Sequence, residues 1–290
     1  MPLFPGFSEV DIETEGVRVH ARVGGSGEPL LLLHGYPQTH AMWHPIAAEL
    51  ARTYTVVAAD LRGYGESVAH EKDFTFRAMA RDQVRLMEQL GHKQFHVVSH
   101  DRGARTAHRM VLDHPASVKS LVLLDILPTV EVWRLMDAWL ARKYYHWTFL
   151  AHPSDMPQRL INSEPLTYLR ATLAGLGGLN IFAPEAMAEY ERAAQKPSVV
   201  EAWCGDYLAG ATTDLDHDRA DVGSISDIPC LVLWGDKGVV GKQVNPLETW
   251  RQWFANVSGH ALDTGHFLVE EKPEEVLEAV RQHLAAATAG

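Results

Sequence analysis

The sequence predicts an α/β protein with a mostly parallel, doubly wound β-sheet and a helical insertion. Short apolar segments alternate with longer amphipathic segments along most of the chain, and strand–helix alternation of this kind is typical of parallel sheets. The apolar segments are near-continuous runs of Leu, Val and Ala, as expected for strands that helices cover on both faces. The alternation stops in the middle of the chain, where aromatic and aliphatic residues recur at helical spacing.

Six apolar segments have the pattern of strands, and four amphipathic segments have that of helices. The predicted strands span residues 29–33, 54–59, 95–99, 120–124, 230–234 and 257–262, and the predicted helices span 76–90, 102–113, 246–254 and 273–286. The stretch between about Ile126 and Ile228 has no convincing strand. We therefore predict a core formed by residues 1–125 and 229–290, with residues 126–228 inserted as a helical lid.

The composition argues against several classes of partner. The chain has 290 residues and a formal net charge of −11 at pH 7, which argues against nucleic acid and anionic membranes as partners. Cys204 and Cys230 are too few for a disulfide framework, which favours a reducing setting. No signal-peptide pattern is visible, and no apolar run reaches the ~20 residues that span a bilayer. The sequence therefore predicts a cytoplasmic protein.

The segment VVSHDRGART, residues 97–106, has the pattern of a nucleophile elbow. An apolar strand ends there, a sharp turn follows, and a helix begins at once. The central position, usually Ser, is Asp101. A Ser that attacked a saturated carbon would form an ether that water does not cleave, whereas an Asp forms an ester that water hydrolyses. We therefore predict that Asp101 is a nucleophile for displacement at saturated carbon; the alternative is a degenerate elbow without catalysis.

Five short motifs occur in the order typical of the α/β-hydrolase superfamily, which the sequence resembles over essentially its whole length. Each motif lies at or after the end of a predicted strand: HGYP at 34–37, DLRGYGES at 60–67, SHDRG at 99–103, LWGD at 233–236 and TGHF at 264–267. The resemblance implies the α/β-hydrolase fold. It also implies an oxyanion hole formed by two backbone N–H groups, those of Tyr36 and Arg102.

His266, in the last of these motifs, is the predicted general base that activates water for hydrolysis of the ester. Two carboxylates are candidates for the acid that orients it. Asp236 follows the Trp-Gly pair, but in the superfamily pattern Trp-Gly-x-x-Asp the acidic position is occupied by Gly238. Asp125 follows the strand 120–124, at the sheet edge where catalytic groups gather in α/β proteins. We predict that Asp125 is the orienting acid and that Asp236 is a turn residue.

Two arginines lie beside the nucleophile. Arg102 and Arg105 are three residues apart and share one helical face, although cations near a helix N-terminus oppose its dipole at about 0.3–1 kcal/mol each. We predict that both bind a carboxylate group of the substrate through charge-assisted hydrogen bonds; the alternative is ion pairing with acidic residues of the lid. Arg102 also argues against haloalkane dehalogenases and epoxide hydrolases, which typically carry Trp at that position.

The predicted core contains Asp101-Arg102-x-x-Arg105, Asp125 and His266, and the predicted lid contains His146-Trp147 and Tyr207. Together these residues resemble those of the fluoroacetate (haloacetate) dehalogenases. The resemblance implies that the two arginines bind the substrate carboxylate and that the three lid residues bind the departing halide, although aromatic lid residues are more often packing groups. The implied reaction converts haloacetate to glycolate and halide without a metal or organic cofactor, and the family further suggests a homodimer.

Two other functions remain open. An epoxide hydrolase would use two lid tyrosines as donors to the epoxide oxygen, and Tyr144 or Tyr145 could pair with Tyr207 in that role. A non-catalytic ligand-binding protein on the same fold is the other alternative. The intact nucleophile, base and acid argue against it.

Overall fold

A β-sheet lies at the centre of the computed structural model, which describes residues 2–242 and 244–289. In the described part of the chain its nine strands are β1 (Ser8–Thr14), β2 (Val17–Gly25), β3 (Glu28–Leu33), β4 (Tyr54–Ala59), β5 (Val68–Ala69), β6 (Phe95–His100), β7 (Val118–Leu124), β8 (Cys230–Gly235) and β9 (Val257–Leu262).

The strand order across the sheet is β1-β2-β4-β3-β6-β7-β8-β9, with β5 paired to β2. From β4 to β9 every neighbouring pair is parallel, whereas β2 pairs antiparallel with β1, β4 and β5. The prediction of a mostly parallel sheet is confirmed. All six predicted strands are present, and their ends differ from the predicted ends by two residues at most.

The antiparallel hairpin of β1 and β2 is absent from the predicted strands. β1 lies at the edge of the sheet, and every residue of its sequence SEVDIET is exposed or half-buried. Charged residues therefore take the place of the apolar run that marks a buried strand, and they also protect an edge strand against pairing with other chains. β5 has only two residues, too few for a periodic signal.

Helices surround the sheet, and some of them contact its strands directly. Those that contact strands are α1, α2, α3, α12 and α14. The α-helices of the described residues are α1 (His44–Leu50), α2 (Phe76–Gln89), α3 (Asp101–Asp113), α4 (Thr129–Arg134), α5 (Ala138–Lys143), α6 (Tyr145–Leu150), α7 (Met156–Ser163), α8 (Pro165–Leu176), α9 (Pro184–Ala194), α10 (Pro197–Ala211), α11 (Thr213–Asp221), α12 (Pro246–Trp250), α13 (Leu268–Glu271) and α14 (Pro273–Ala289).

One predicted helix is shorter than expected. The helix predicted at 246–254 ends at Trp250, and a turn continues to Phe254. Trp250, Trp253 and Phe254 have the spacing of a helical face, which explains the prediction. In the structure all three rings pack around His108 of α3, Trp250 from the end of α12 and the other two from the segment that follows it.

The helices α4 to α11 all lie between β7 and β8, within residues 126–228, the predicted lid. The central helix of the lid is α10, since it contacts α6, α7, α9 and α11. Four lid helices carry Pro in their first turn, where the missing N–H removes no helical hydrogen bond. α10 also contacts α2, so the lid is a packed helical layer joined to the core.

The interior is apolar where the strands are central. Residues 30–33 of β3 and 121–124 of β7 have no exposed surface, and burying each such aliphatic side chain contributes roughly 1.5–3 kcal/mol. The near-continuous apolar runs of these strands therefore reflect cover on both faces. Among the described helices, none combines the length and the apolar character needed to cross a membrane.

Candidate active site

Asp101 lies at the tip of a sharp turn between β6 and α3. Its φ angle is +47°, a left-handed conformation that costs a non-glycine residue about 1–3 kcal/mol and that the surrounding structure must hold in place. An ideal Cβ at Gly103 would lie 2.2 Å from the carbonyl oxygen of His34, so glycine permits α3 to pack closely on the end of β3. The turn places Asp101 at the edge where the parallel strands end.

The loop after β3 holds the carboxylate of Asp101. The backbone N–H of Tyr36 donates to Oδ1 of Asp101 over 2.9 Å. An ideal Cβ at Gly35 would lie 2.7 Å from that oxygen and 2.9 Å from the backbone nitrogen of Arg102. Asp101 and the backbone nitrogen of Arg102, the second predicted oxyanion donor, therefore both pack against Gly35, and a larger residue at position 35 would clash with them. Oδ1 occupies the oxyanion position, which leaves Oδ2 outside this contact.

Asp101 is buried, yet positive charge surrounds it. Burial would raise the pKa of its carboxyl, but His266, His100, Arg102 and Arg105 together outweigh burial and lower the pKa below its ordinary value of 3.8. The carboxylate is therefore ionised at neutral pH. A nucleophilic carboxylate requires that form.

His266 and Asp125 form the second part of the site. Nδ1 of His266 donates to Oδ2 of Asp125 over 2.6 Å, and Oδ1 of Asp125 accepts the backbone N–H of Gly235 over 3.0 Å. Burial disfavours the charged imidazole, but the hydrogen bond and charge of Asp125 outweigh it and raise the pKa of His266 above 6.5. Asp125, like Asp101, has a φ angle of +47°. The pair has the geometry of a base and its orienting acid.

The other candidate acid, Asp236, is exposed on the surface. Its backbone N–H donates to the carbonyl oxygen of Leu262 at the end of β9. An ideal Cβ at Gly238 would lie 3.6 Å from both carboxylate oxygens of Asp125. The acidic position of the Trp-Gly-x-x-Asp pattern therefore adjoins the carboxylate of Asp125. Position 238 and the end of β7 could each place a carboxylate next to His266. In this protein the carboxylate is that of Asp125, at the end of β7.

Two further contacts fix the backbone around His266. Glu271 accepts the N–H of Gly265 over 2.7 Å and that of Phe267 over 3.0 Å, so one carboxylate holds the amides on both sides. His100 donates from Nε2 to the carbonyl oxygen of His266 over 2.9 Å. Neither residue is among the predicted site residues, because an acidic helix start such as that at Glu271 is typical of a solvated surface and a lone histidine carries little information.

One cavity brings the core and the lid together. Asp101, Asp125 and His266 line it from the core. The centre of a water molecule can occupy about 30 Å³ of the cavity. Since one water needs about 10–15 Å³ by this measure, the cavity suits a ligand of a few non-hydrogen atoms. The other polar or aromatic side chains of its wall are Tyr36, Arg105, Tyr144, His146, Trp147 and Tyr207.

The three lid residues predicted to bind halide all line this cavity. The ring centre of Tyr207, on α10, lies 5.5 Å from that of His146 and 6.0 Å from that of Trp147, both on α6. Burial lowers the pKa of His146 to about 3 and raises the pKa of Tyr207 well above its ordinary value. At neutral pH the imidazole is uncharged and the phenol keeps its proton, so the three rings offer neutral N–H and O–H donors.

Tyr144 and Tyr145 have different environments. Tyr144 lines the cavity, and its ring stacks on that of Trp147 at 5.7 Å. Tyr145 is 47% exposed and is not among the cavity-lining residues of the described chain. Of the two tyrosines that could pair with Tyr207, the structure selects Tyr144.

Arg102 forms an ion pair with the lid. Its side chain is fully buried, its Nε donates to Oδ2 of Asp206 over 2.9 Å, and its Nη2 donates to the other carboxylate oxygen. Among the described residues, those that line the cavity do not include Arg102. This arrangement matches the alternative, an ion pair with an acidic residue of the lid. Nη1 of Arg102 is buried and has no hydrogen-bond partner among the described residues, so binding of a substrate carboxylate by Arg102 stays a prediction.

Arg105, the other arginine predicted to bind a substrate carboxylate, lies in the cavity wall. Its Nη1 donates to Oγ1 of Thr129 over 2.9 Å, and in the described part of the chain no carboxylate oxygen lies within ion-pair distance. Burial and the repulsion of Arg102 lower the pKa of Arg105 to about 10, so it stays charged at neutral pH. By contrast, Arg109 on the same helix pairs with Asp221 over 2.6 Å. Arg105 is the buried cation of this helix that faces the cavity without a carboxylate partner.

Comparison with known proteins assigns the chain to a family. The family model described as alpha/beta hydrolase fold matches residues 28–273. The chain is an α/β hydrolase. It is 41% identical to a fluoroacetate dehalogenase from Burkholderia sp over 99% of this chain and 97% of that protein. It is 32% identical to a soluble epoxide hydrolase from Corynebacterium sp. (strain C12) over 93% of this chain and 94% of that protein.

A solved structure is also similar to this α/β hydrolase over its whole length. A protein from Pseudomonas aeruginosa, provisionally named an epoxide hydrolase, has a TM-score of 0.96 and 43% sequence identity, and the match covers 100% of this chain and 99% of that chain. The relatives thus carry the names of two activities, dehalogenation and epoxide hydrolysis. The side chains of the cavity decide which one to propose.

Proposed function

We propose that this α/β hydrolase is a haloacetate dehalogenase, which converts small 2-haloacids such as fluoroacetate to a 2-hydroxyacid and halide. The observation that carries the proposal is Arg105, a buried cation in the cavity wall with no carboxylate partner among the described residues. Leaving a buried charge unpaired costs several kcal/mol, and an anionic ligand offsets that cost. The same wall contains Asp101, whose carboxylate is suited to attack on saturated carbon. A small carboxylate with a leaving group at C2 satisfies both residues.

The first step of the proposed reaction is displacement of halide by Asp101. The substrate carboxylate binds Arg105, and C2 faces the nucleophile. Because the amide of Tyr36 holds Oδ1, Oδ2 is the attacking atom. An electron pair of Oδ2 forms the bond to C2 while the carbon–halogen bond breaks, and the halide leaves with the bonding pair.

The lid supplies the donors for that leaving group. His146, Trp147 and Tyr207 are buried around the cavity and uncharged, so their N–H and O–H groups stabilise a developing anion without repelling the substrate carboxylate by charge. Such preorganised donors act most strongly where water is excluded. Fluoride gains most from them, since it is the strongest hydrogen-bond acceptor among the halides and the poorest leaving group.

The second step is hydrolysis of the ester on Asp101. His266 takes a proton from water, and the resulting hydroxide adds to Cγ of the ester. The negative charge appears on Oδ1, which already accepts the N–H of Tyr36. Collapse of this intermediate breaks the Cγ–Oδ2 bond, and the departing glycolate takes the proton back from His266. Asp101 is left as a carboxylic acid with the oxygen of the water, and it releases its proton to solvent to regenerate the carboxylate. This scheme balances with the chain's own residues and water, so it needs no metal or organic cofactor.

The test of this function is halide release by the purified protein from fluoroacetate, chloroacetate and chloroacetamide. We expect release from both acids and little from the amide, which offers no carboxylate to Arg105. Arg105→Leu should raise KM for both acids by one to two orders of magnitude, since a hydrogen bond to a charged group contributes about 1.5–3 kcal/mol.

Arg105→Lys is the matched control, because it keeps the charge and loses the forked geometry. It should fall between the wild type and Arg105→Leu. Equal turnover of chloroacetamide and chloroacetate by the wild type would remove the basis of the proposal, since the charge of the substrate would then have no effect.

Epoxide hydrolysis is the second candidate function. One observation in its favour is Tyr144, which lines the cavity together with Tyr207 and could donate a second hydroxyl to an epoxide oxygen. The other is the name of the Corynebacterium relative, a soluble epoxide hydrolase. The same assay decides between the two functions when propylene oxide is added as a substrate. Diol formation faster than halide release from either acid would make epoxide hydrolysis the better assignment.

A further inference from the structure

Tyr36 has contacts in both halves of the site. Its backbone N–H donates to Oδ1 of Asp101 over 2.9 Å, and its hydroxyl forms a hydrogen bond of 2.9 Å with the hydroxyl of Tyr168, on α8 of the lid. The side chain between these two ends is buried. Its ring stacks on that of His146 and packs edge-on against that of Tyr207. A side chain of the core is therefore fixed at its far end by the lid.

We propose that Tyr168 is a positioning residue for hydrolysis of the aspartyl ester: its hydroxyl holds the phenol of Tyr36, and the phenol holds the Tyr36 amide against Oδ1 of Asp101. The inference rests on the covalent reaction proposed above. Tyr168 is not among the described residues that line the cavity, so it acts on the reacting atoms through Tyr36.

The hydrogen bond between the two phenols can hold the backbone because the ring of Tyr36 is tightly enclosed. The rings of His146, Trp203 and Tyr207 all pack against it. Burial raises the pKa of both hydroxyls above the ordinary value of 10, so both are protonated at neutral pH. Without the hydroxyl of Tyr168, that of Tyr36 loses a buried partner, a cost that a shift of the ring would reduce. In a close-packed interior such a shift is passed on to the backbone.

The amide of Tyr36 has opposite effects on the two chemical steps. In the first step Oδ2 of Asp101 attacks carbon, and Oδ1 loses negative charge as the carboxylate becomes a neutral ester. A donor to Oδ1 therefore stabilises the free carboxylate more than this transition state. In the second step hydroxide adds to Cγ, Oδ1 gains the full negative charge, and the same donor stabilises the transition state. A weaker contact should slow hydrolysis without slowing ester formation.

The rates of the two steps in Tyr168→Phe test the proposal. With saturating chloroacetate, mass spectrometry of quenched samples gives the fraction of protein that carries the adduct on Asp101. Dividing kcat by this fraction gives the rate of hydrolysis, and dividing kcat by the adduct-free fraction gives the rate of formation. Tyr168→Phe should slow hydrolysis about three- to ten-fold and leave formation at or above the wild-type rate. Slowing of both steps by one factor would overturn the proposal, since general damage to the cavity has that effect.

A double-mutant cycle with Tyr36→Phe tests whether the hydrogen bond carries the effect. Tyr36→Phe keeps the ring and the amide and removes the other end of the same bond, so it should slow hydrolysis by a similar factor. The double variant Y36F/Y168F should be no slower than the slower single variant, because each single variant already lacks the bond. A cooperative thermal transition shows that each variant is folded. Effects that multiply in the folded double variant would overturn the proposal.

Tyr190→Phe is the matched control. Tyr190 lies on α9 of the lid, and its hydroxyl accepts a hydrogen bond from Gln38, in the same loop as Tyr36, over 3.1 Å. Its loss should leave the rates of both steps within about two-fold of the wild type, because this contact does not involve Tyr36. Equal slowing of hydrolysis in Tyr190→Phe and Tyr168→Phe would show that any contact between lid and loop has this effect, which would overturn the assignment to Tyr168.

Failure of this inference and failure of the proposed function give different results. A wild-type protein that releases no halide from either acid would refute the dehalogenase function. A Tyr168→Phe protein that releases halide and hydrolyses the ester at the wild-type rate would refute the role of Tyr168 and leave that function intact.

Discussion

The core half and the lid half of the site hold their side chains by different means. In the core, backbone conformation and backbone amides fix the two carboxylates. Asp101 and Asp125 each follow one of two neighbouring strands with a φ angle of +47°, and the amides of Tyr36 and Gly235 each bind one carboxylate oxygen. These contacts depend on the sheet edge and not on the identity of a ligand.

In the lid, side chains hold one another. Tyr207 packs edge-on against His146 and Trp147, and Arg102 stacks on its outer face. The difference teaches that the two halves control different parts of the reaction. In the proposed reaction the core forms and hydrolyses an ester whatever group leaves, whereas the lid stabilises the leaving group. Loss of a core residue should therefore affect every substrate alike, and loss of a lid donor should depend on the halogen.

The largest effect is expected for the nucleophile and the base. Asp101→Ala should abolish halide release from fluoroacetate and chloroacetate alike, since the other carboxylate of the cavity, Asp125, is engaged by His266. His266→Asn should still form the ester but fail to hydrolyse it. Mass spectrometry of the peptide that contains Asp101 should then show one substrate-sized adduct. A His266→Asn protein that releases halide and carries no adduct would contradict the covalent scheme.

The next effect concerns the orienting acid. Asp125→Asn should slow ester hydrolysis on the order of 10⁴-fold, the scale seen when a triad acid becomes an amide, whereas the exposed Asp236→Asn should change little. Adding Gly238→Asp to Asp125→Asn should recover part of the rate, because a Cβ at 238 lies 3.6 Å from the Asp125 oxygens. An inactive Asp236→Asn protein would show that the acid was assigned wrongly.

The pH dependence of ester hydrolysis tests how Asp125 changes the pKa of His266. His266 acts as a base only when it is neutral. Burial lowers the pKa of His266, but the hydrogen bond and charge of Asp125 outweigh burial and raise it above 6.5. Ester hydrolysis should therefore decline as the pH falls through this raised pKa. Asp125→Asn removes the charge that raises the pKa, so its decline should lie at lower pH than that of the wild type. Single-turnover rates measured across the acid range provide the comparison.

The core half was predictable from the sequence because strand ends locate it. Asp101, Asp125 and His266 each follow an apolar run, and parallel strands bring those ends to one edge. The antiparallel hairpin was not predictable, since β1 replaces the apolar run with charged residues.

The lid half was predictable only through a family resemblance. Two arginines on one helical face look alike in the sequence, and the pattern gives no sign of which one meets Asp206, a residue 104 positions further along the chain. The partners of a side chain across a helical insertion depend on tertiary packing. For the same reason Glu271 and Tyr144 have no sequence signal that separates them from surface residues.

The third effect tests the lid. Tyr207→Phe keeps the ring and removes the O–H, and loss of such a donor corresponds to about 2.7–4 kcal/mol, or roughly 100- to 1,000-fold, on fluoroacetate. The loss on chloroacetate should be smaller, because chloride leaves more easily and accepts hydrogen bonds more weakly. Tyr144→Phe, at the other cavity tyrosine, should leave the ratio of the two rates unaltered. Equal losses on both acids in Tyr207→Phe would mean that the lid only shapes the cavity.

The smallest effect concerns two adjacent carboxyl groups that face opposite halves of the site. Glu271 holds the amides on both sides of His266, whereas Glu270 accepts hydrogen bonds from Tyr190 of the lid over 2.8 Å and from Gln38 over 2.6 Å. Glu271→Gln should slow ester hydrolysis about three- to ten-fold by loosening the loop that carries the base. The loss should be equal for fluoroacetate and chloroacetate, since the halide has left before this step.

Glu270→Gln is the matched control, and its readout is stability. Burial raises the pKa of Glu270 from 4.5 to about 8, so the folded protein binds this proton more tightly than the unfolded chain does. Its contribution to the free energy of unfolding is complete below pH 4.5 and is lost as the pH rises through about 8. Urea unfolding of Glu270→Gln should lack that decline, while ester hydrolysis keeps its wild-type rate. If both variants slowed hydrolysis equally, the loop around His266 would depend on the lid, and the core half would not be held by its own backbone contacts alone.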